Sequence, residues 1–392
     1  RGKSSGKVLD TIIKSGPLSR TDIANRLGLA RSTVSVIVNS FLQAELIREI
    51  GKKESEGLGR PPTLLEFNST SRVFLCIDLD VGEISLILCD LEGRVIAAYV
   101  DVMGKLTPSG VASQIIASTE AFLAQEKLDW HYVAGLGIVF PGPVRHDIQS
   151  TQSLVFGWDK PVRLQDELAK QLPMAIPILI ENDVKTCAYA EWIETAHPQD
   201  LLYLYVGRGI GGAYMSNGRL LHGRHFLAGE IGHMMVEHDG SVCRCGSRGC
   251  LEQYASIPHI LASIWGETAL NRTRNYYQSS LVDLVRQLER EEPKSLAAVE
   301  RAGWALGFTL FNLVQMLDCE NIVIGGPIRA LENFITDSIK SCLGKHLARG
   351  FLSLTFSELG EDAKTIGMAS LMRETLLLNG DLIEDAHSVS AK

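Results

Sequence analysis

Residues 232–256 read GHMMVEHDGSVCRCGSRGCLEQYAS, where Cys243, Cys245 and Cys250 form a C-x-C-x4-C run. His233 precedes the first thiol by ten residues and His238 by five. Three thiolates and one imidazole make a closed tetrahedral donor set, the chemistry of a structural zinc site. The C-x-C spacing is not the C-x-x-C pair of dithiol redox chemistry, and four filled positions leave none for metal-activated water. Spacing alone leaves the fourth ligand open between His233 and His238. Glu230 and Glu252 flank the run closely, so a metal held here would fix both carboxylates relative to the imidazole.

A second polar pair, Asn182-Asp183, lies in PILIENDVKTCAYAEW (177–192), which reads as a strand running into a helix. Strand ends are where α/β folds place chemistry, although the pair alone reads equally well as a helix cap. GLGIVFPGPV (135–144) reads as a buried strand entering a Pro-Gly-Pro turn. The elements that must position these groups occur twice. VFLCIDLDVGEISLILCDLEGRVIAAYVDV from Val73 and LLYLYVGRGIGGAYMSNGRLLHG from Leu201 each read strand, glycine turn, strand, turn, strand. A duplicated meander followed by helices predicts an α/β body of two lobes with actin-like, sugar-kinase (ribonuclease H-like) architecture.

The first 68 residues differ in character. They hold eleven Lys/Arg against seven Asp/Glu, a balance of +4, whereas the remainder holds 27 against 39 within a net charge of -8. A basic head on an acidic body confines nucleic-acid contact to the head. Val8, Leu9, Ile12 and Ile13 predict a helix stopped by Gly16-Pro17, and Ser19 with Asp22 predicts the cap of a second. A third helix, from about Ala30 to Ala44, has Val34, Ile37, Val38, Phe41 and Leu42 on one face. Ser32, Ser35, Val36 and Asn39 lie on the other, with Arg31 and Thr33 near its start. An apolar back and a small, polar front suit the recognition helix of a helix-turn-helix, with Val36 able to meet a thymine methyl. LIREIGKKESEGLGRPPTLLEFN then predicts two strands around a wing, with Lys52, Lys53 and Arg60 available to phosphates or the minor groove.

Composition excludes other classes. No apolar run reaches the roughly 18–20 residues of a membrane span, and RGKSSGKVLD lacks the apolar stretch of a signal peptide, so the expectation is cytoplasmic. Cys76, Cys89, Cys187, Cys319 and Cys342 sit in apolar segments and read as core residues rather than a disulfide framework.

PGP (141–143), ENDVKTCAYAE (181–191), GIGG (209–212), AGEIGH (228–233), CRCGSRGCLEQYAS (243–256) and IVIGGPI (322–328) together resemble the ROK family of sugar kinases and sugar-responsive repressors. The winged head makes the chain similar to its NagC/XylR-type repressors. The resemblance implies three domains: a winged helix-turn-helix at 1–68, a first lobe at 72–190, and a second lobe at 191–392 with a zinc loop and C-terminal helices. It implies one structural zinc on His233, Cys243, Cys245 and Cys250. It also implies a sugar site between the lobes, ringed by Asn182, Asp183, Glu230, His233 and Glu252 and lined by Gly142 and Ser153. Asp183 matches the catalytic base of the family's kinases, whose first phosphate turn reads D-x-G-G-T. Here that turn reads Asp78-Leu79-Asp80-Val81-Gly82-Glu83. A carboxylate repels phosphate and a valine side chain blocks backbone approach. The expected function is therefore a sugar-responsive repressor of operator DNA, a homodimer or homotetramer without kinase activity. A bifunctional sugar kinase and a repressor controlled by a protein partner are the alternatives.

Overall fold

The structure is a computed structural model describing residues 2–52, 62–270, 272, 274–348, 350 and 352–378. The described chain divides into two compact units, residues 1–183 with 368–392 and residues 184–367.

The first unit begins with α1 (Gly2–Ser15), α2 (Arg20–Leu27) and α3 (Arg31–Gln43), followed by β1 (Ile47–Lys52) and β2 (Thr63–Phe67). Ser19 caps α2 through a complete capping box. Its hydroxyl accepts from the Asp22 N–H at 3.1 Å, and the Asp22 carboxylate accepts from the Ser19 N–H at 3.1 Å. Gly28, with φ of 65°, ends α2 in the left-handed conformation that a residue without a Cβ adopts at little cost. β1 and β2 pair antiparallel, and β2 also pairs with the two-residue strand Leu18–Ser19, giving a three-stranded wing sheet.

A five-stranded sheet follows. β3 (Val73–Asp80), β4 (Glu83–Asp90) and β5 (Val95–Asp101) form the antiparallel meander. Helix α4 (Pro108–Gln125) intervenes before β6 (Val133–Phe140) and β7 (Ile178–Asn182), which add in parallel beside β3. The strand order is β7-β6-β3-β4-β5. Every residue of β6 is buried, as expected of a central strand covered on both faces.

The second unit repeats this order. It contains α5 (Asp183–Glu194) from its second residue onward, β8 (Asp200–Val206), β9 (Ile210–Ser216), β10 (Arg219–Leu220), α6 (Ile257–Trp265), α7 (Arg274–Glu289), α8 (Pro293–Leu317), β11 (Asn321–Gly325), α9 (Glu332–Ala348) and β12 (Ser353–Phe356). Its sheet runs β10-β9-β8-β11-β12, again a meander extended by two parallel strands. The duplication anticipated from the two similar stretches is thus present in the topology.

Helix α10 (Ala363–Met372) continues into a π-helical turn, Arg373–Leu378. From Met368 onward this segment belongs to the first unit. There Met372, Leu376 and Leu377 share one buried cluster with Val8, Leu9 and Ile12 of α1 and with Phe74 and Cys76 of β3. The winged head and the first sheet therefore have a common core. No helix among the described residues is long and apolar enough to cross a membrane.

Candidate functional site

In the first unit the polar pair sits where strand becomes helix. Asn182 ends β7, in register with Phe140 of β6, and Asp183 opens α5. The Asn182 side-chain amide donates to the Gly142 carbonyl at 3.1 Å and to the Asp183 carboxylate at 2.9 Å. The Pro-Gly-Pro turn is thereby tied to the pair. Gly142 has φ of 147°, and a Cβ there would collide with the Gln152 carbonyl oxygen. Ser153 is buried with its hydroxyl committed, donating to the Pro141 carbonyl at 2.7 Å and accepting from the Phe156 N–H at 3.3 Å. It secures the turn from behind. Sequence reasoning missed Glu181 and His146. One buried Glu181 oxygen accepts from the Asn182 N–H at 2.8 Å, and the other lies 3.1 Å from His146 Nε2. Glu181 thus orients the backbone that presents Asn182, and no spacing pattern links it to His146.

In the second unit two glycine-rich segments are pressed together backbone to backbone. The Gly212 N–H donates to the Gly229 carbonyl at 2.7 Å. A Cβ on Gly229 would strike the Gly212 carbonyl, and one on Gly232 the Ile210 carbonyl. This close approach is why GIGG and AGEIGH need their glycines. It sets Glu230 at the entry of the 3-10 turn Ile231–His233. His233 Nε2 stands 4.0 Å from a Glu230 carboxylate oxygen, too far for a direct hydrogen bond and a span that one hydroxyl could bridge.

The other imidazole nitrogen faces the thiols. His233 Nδ1 lies 3.6 Å from Cys243 Sγ, and Cys245 Sγ lies 3.7 Å from Cys250 Sγ. All four ligand atoms lie within 4.8 Å of one another. Tetrahedral bond lengths to zinc imply ligand–ligand separations of about 3.5–3.8 Å, so the donors fit a metal ion. His238 is exposed, beside the exposed Asp239, and does not join this group. Cys250 packs against the other thiols, and burial first, then those neighbours, pushes its thiol up to about 12. A bound cation is what would favour the thiolate. The loop is closed by its own backbone, with the Cys243 N–H donating to the Ser247 carbonyl at 2.8 Å and the Gly249 N–H to the Ser241 carbonyl at 2.9 Å.

Glu252 differs from the expected open hydroxyl ligand. It is buried, and Arg244, the residue between two cysteines, reaches it with Nε at 3.1 Å and Nη2 at 3.3 Å. The Ile210 N–H donates to the same carboxylate at 3.3 Å. His259 is a further neighbour that the motif did not reveal. Burial lowers its pKa while the Glu252 charge opposes that shift, and the Ser256 hydroxyl lies 2.8 Å from its Nδ1.

In the head, Val34, Ile37, Val38 and Phe41 are buried. Arg31, Ser32, Thr33 and Asn39 are exposed, Ser35 is half-buried, and Val36 is 69% exposed. Ala30 caps α3 without a side-chain hydrogen bond, so its first-turn N–H groups suit phosphate contact beside Arg31. Lys52 ends β1, while Lys53 and Arg60 lie outside the described residues.

The model of the ROK family matches residues 74–375, more than half of the chain. The chain belongs to the ROK family. A winged helix-turn-helix DNA-binding model matches residues 3–48. The chain is 29% identical over 379 residues to the xylose repressor of Bacillus spizizenii, covering 94% of both proteins. A solved ROK transcriptional regulator, described as a homolog of the Escherichia coli MLC protein, superposes with TM-score 0.82 at 24% identity over 99% of each chain. A ROK hexokinase from Thermus thermophilus superposes with TM-score 0.62 at 24% identity, covering 76% of this chain and 96% of its own. The ROK body is therefore shared with kinases as well as regulators.

Proposed function

We propose that this ROK protein is a sugar-responsive transcriptional repressor. What supports this reading is one chain holding a winged helix with an exposed, largely polar recognition face and a ROK body. Arg31, Ser32, Thr33, Ser35, Val36 and Asn39 meet operator DNA, and Lys52, Lys53 and Arg60 contact its backbone from the wing. In the body, Glu230, His233 and Glu252 take sugar hydroxyls, and Asn182 and Asp183 carry the same chemistry in the first unit. Gly142 and Ser153 shape the turn beside Asn182.

His233 Nδ1, Cys243, Cys245 and Cys250 would hold one zinc per chain, leaving His233 Nε2 for the sugar. When bound, the metal would supply rigidity and a fixed charge, with four protein donors leaving no coordination position for reaction chemistry. For Glu252 to receive a hydroxyl, Arg244 must share or release its carboxylate, so effector binding is coupled to the metal loop. A conformational change reaching two heads on paired half-sites would lower operator affinity.

Loss of ATP chemistry is supported by the turn after β3. The Asp80 carboxylate accepts from the Val81 N–H at 2.7 Å, capping an amide that a phosphate would otherwise need. The alternative reading, a residual kinase, would place a base in the groove of about 520 Å³ lined by Leu281, Val285 and Pro327 together with Arg286, Glu289 and Glu361. A thermal-shift panel of pentoses, hexoses and N-acetylhexosamines, with and without Mg-ATP, separates the readings. Stabilisation by one sugar but not ATP supports the sensor. ATP stabilisation with sugar phosphorylation abolished in Asp183→Asn supports the kinase. Silence from every sugar moves the weight to control by a protein partner.

A further inference from the structure

Of the two carboxylates in the second unit assigned above to sugar hydroxyls, Glu252 is the one already occupied. Its side chain is 6% exposed, against 51% for Glu230. Arg244 Nε lies 3.1 Å from Glu252 Oε1 and Nη2 lies 3.3 Å from Oε2, so one edge of the guanidinium faces the edge of the carboxylate. The Ile210 N–H donates to Oε2 as well, at 3.3 Å. Gly209 makes room for the pair, since a Cβ there would lie 2.9 Å from Oε2 and 3.5 Å from Nη2. The two partners are unequally placed. The Arg244 side chain is 55% exposed, so water takes up its guanidinium when the pair opens. Glu252 would then keep the Ile210 N–H alone, and an under-paired carboxylate held away from water is costly. Whatever replaces Arg244 must therefore bring donors to Glu252. Two adjacent sugar hydroxyls do so, because their O–H groups present the same two-donor edge as Nε–H and Nη2–H.

We propose that Arg244 is an internal competitor of the effector. It holds Glu252 in the sugar-free protein, gives way to a vicinal pair of hydroxyls, and so sets the sugar concentration to which the protein responds. This rests on the reading of Glu252 as a sugar ligand. The competitor role has a sign that a supporting role lacks. An arginine that merely oriented Glu252 toward sugar would, when removed, take affinity with it. Removing a competitor raises affinity, because the sugar-free form loses a partner that the bound form has already released. The backbone bonds on either side of Arg244 do not use its side chain. The Cys243 N–H donates to the Ser247 carbonyl at 2.8 Å and the Gly246 N–H to the Cys243 carbonyl at 3.0 Å, so substitutions at 244 leave the closure of the loop in place.

The test is titration calorimetry of the full chain with D-xylose, D-glucose and N-acetyl-D-glucosamine, in the wild type, Arg244→Ala, Arg244→Lys and Glu252→Gln. Zinc content and melting midpoints, with and without each sugar, are measured alongside. The sugar that binds the wild type is expected to bind Arg244→Ala at least about 10-fold more tightly. Arg244→Lys should fall between, because an ammonium offers a point charge in place of a fork. It carries the test by itself if alanine lowers the zinc content. Glu252→Gln should bind at least about 10-fold more weakly. Sugar-free Arg244→Ala should melt below the wild type, and saturating sugar should bring the two midpoints together. A sugar that binds Arg244→Ala and not the wild type also supports the competitor. Affinity unchanged or lowered in both Arg244 variants overturns it and leaves the sugar reading standing. Wild-type binding that Glu252→Gln does not weaken removes Glu252 from the site, and this inference with it. Silence from all four proteins toward all three sugars overturns the sugar reading itself, together with what rests on it.

Discussion

The proposed reading gives His233 two tasks through two nitrogens. Nδ1 faces the thiols and Nε2 faces Glu230, so a metal held by Nδ1 and the thiols would fix the ring that presents Nε2. Chelation should therefore lower the melting midpoint and abolish sugar-induced stabilisation together. Cys245→Ser should reduce bound zinc from one equivalent to near none by elemental analysis, whereas His238→Ala should leave the stoichiometry unchanged. Glu191 carries a pH signature of a different kind. Burial raises its carboxyl pKa, with the nearby Glu194 adding to the shift and the Ser357 hydroxyl opposing it. The folded state then holds the proton more tightly than the unfolded chain. Stability should fall as pH rises from the unfolded carboxyl range, about 4.3, through the higher folded value, and stay reduced above it. Glu191→Gln should flatten that dependence and raise the melting midpoint at neutral pH, measured by thermal denaturation across pH.

Helix α2 shows a local pattern that survives intact into the fold. Ser19, Asp22 and Gly28 are legible because each acts within a few residues of itself. Ser19→Ala should cost about 0.5–2 kcal/mol in urea denaturation, the usual range for a lost N-cap. The junction between β7 and α5 was legible for the same reason, since a strand, two polar residues and a helix follow directly. The metal loop was only half legible. Its three thiols are named by type and spacing while the fourth donor stays open between two histidines, and the structure prefers His233 over His238 by bringing it to the thiols. The partner of Glu252 was not legible. Arg244 looks like any loop cation until the fold turns it onto a buried carboxylate.

Across the molecule, the head and the first sheet share one core through the C-terminal segment. They should therefore unfold together. Leu9→Ala in α1 and Leu376→Ala in the terminal turn should each destabilise by about 2–5 kcal/mol. Both should shift the same calorimetric transition, leaving no separately melting head. Sequence alone determined the winged head, the duplicated meander, the three thiols of the metal loop and the family, because helix period, strand alternation and chelate spacing are all written within short windows. Only the tertiary structure decided which groups meet across long separations. It brought residues 368–378 back to the first unit, set Arg244 on Glu252 and Glu181 beside His146, and left Trp304, Phe308 and Phe311 exposed on α8. The physical reason is that local preference acts within a turn or two, whereas burial is a property of the closed chain. An apolar residue is assigned to core or interface only when the other helices have taken their places.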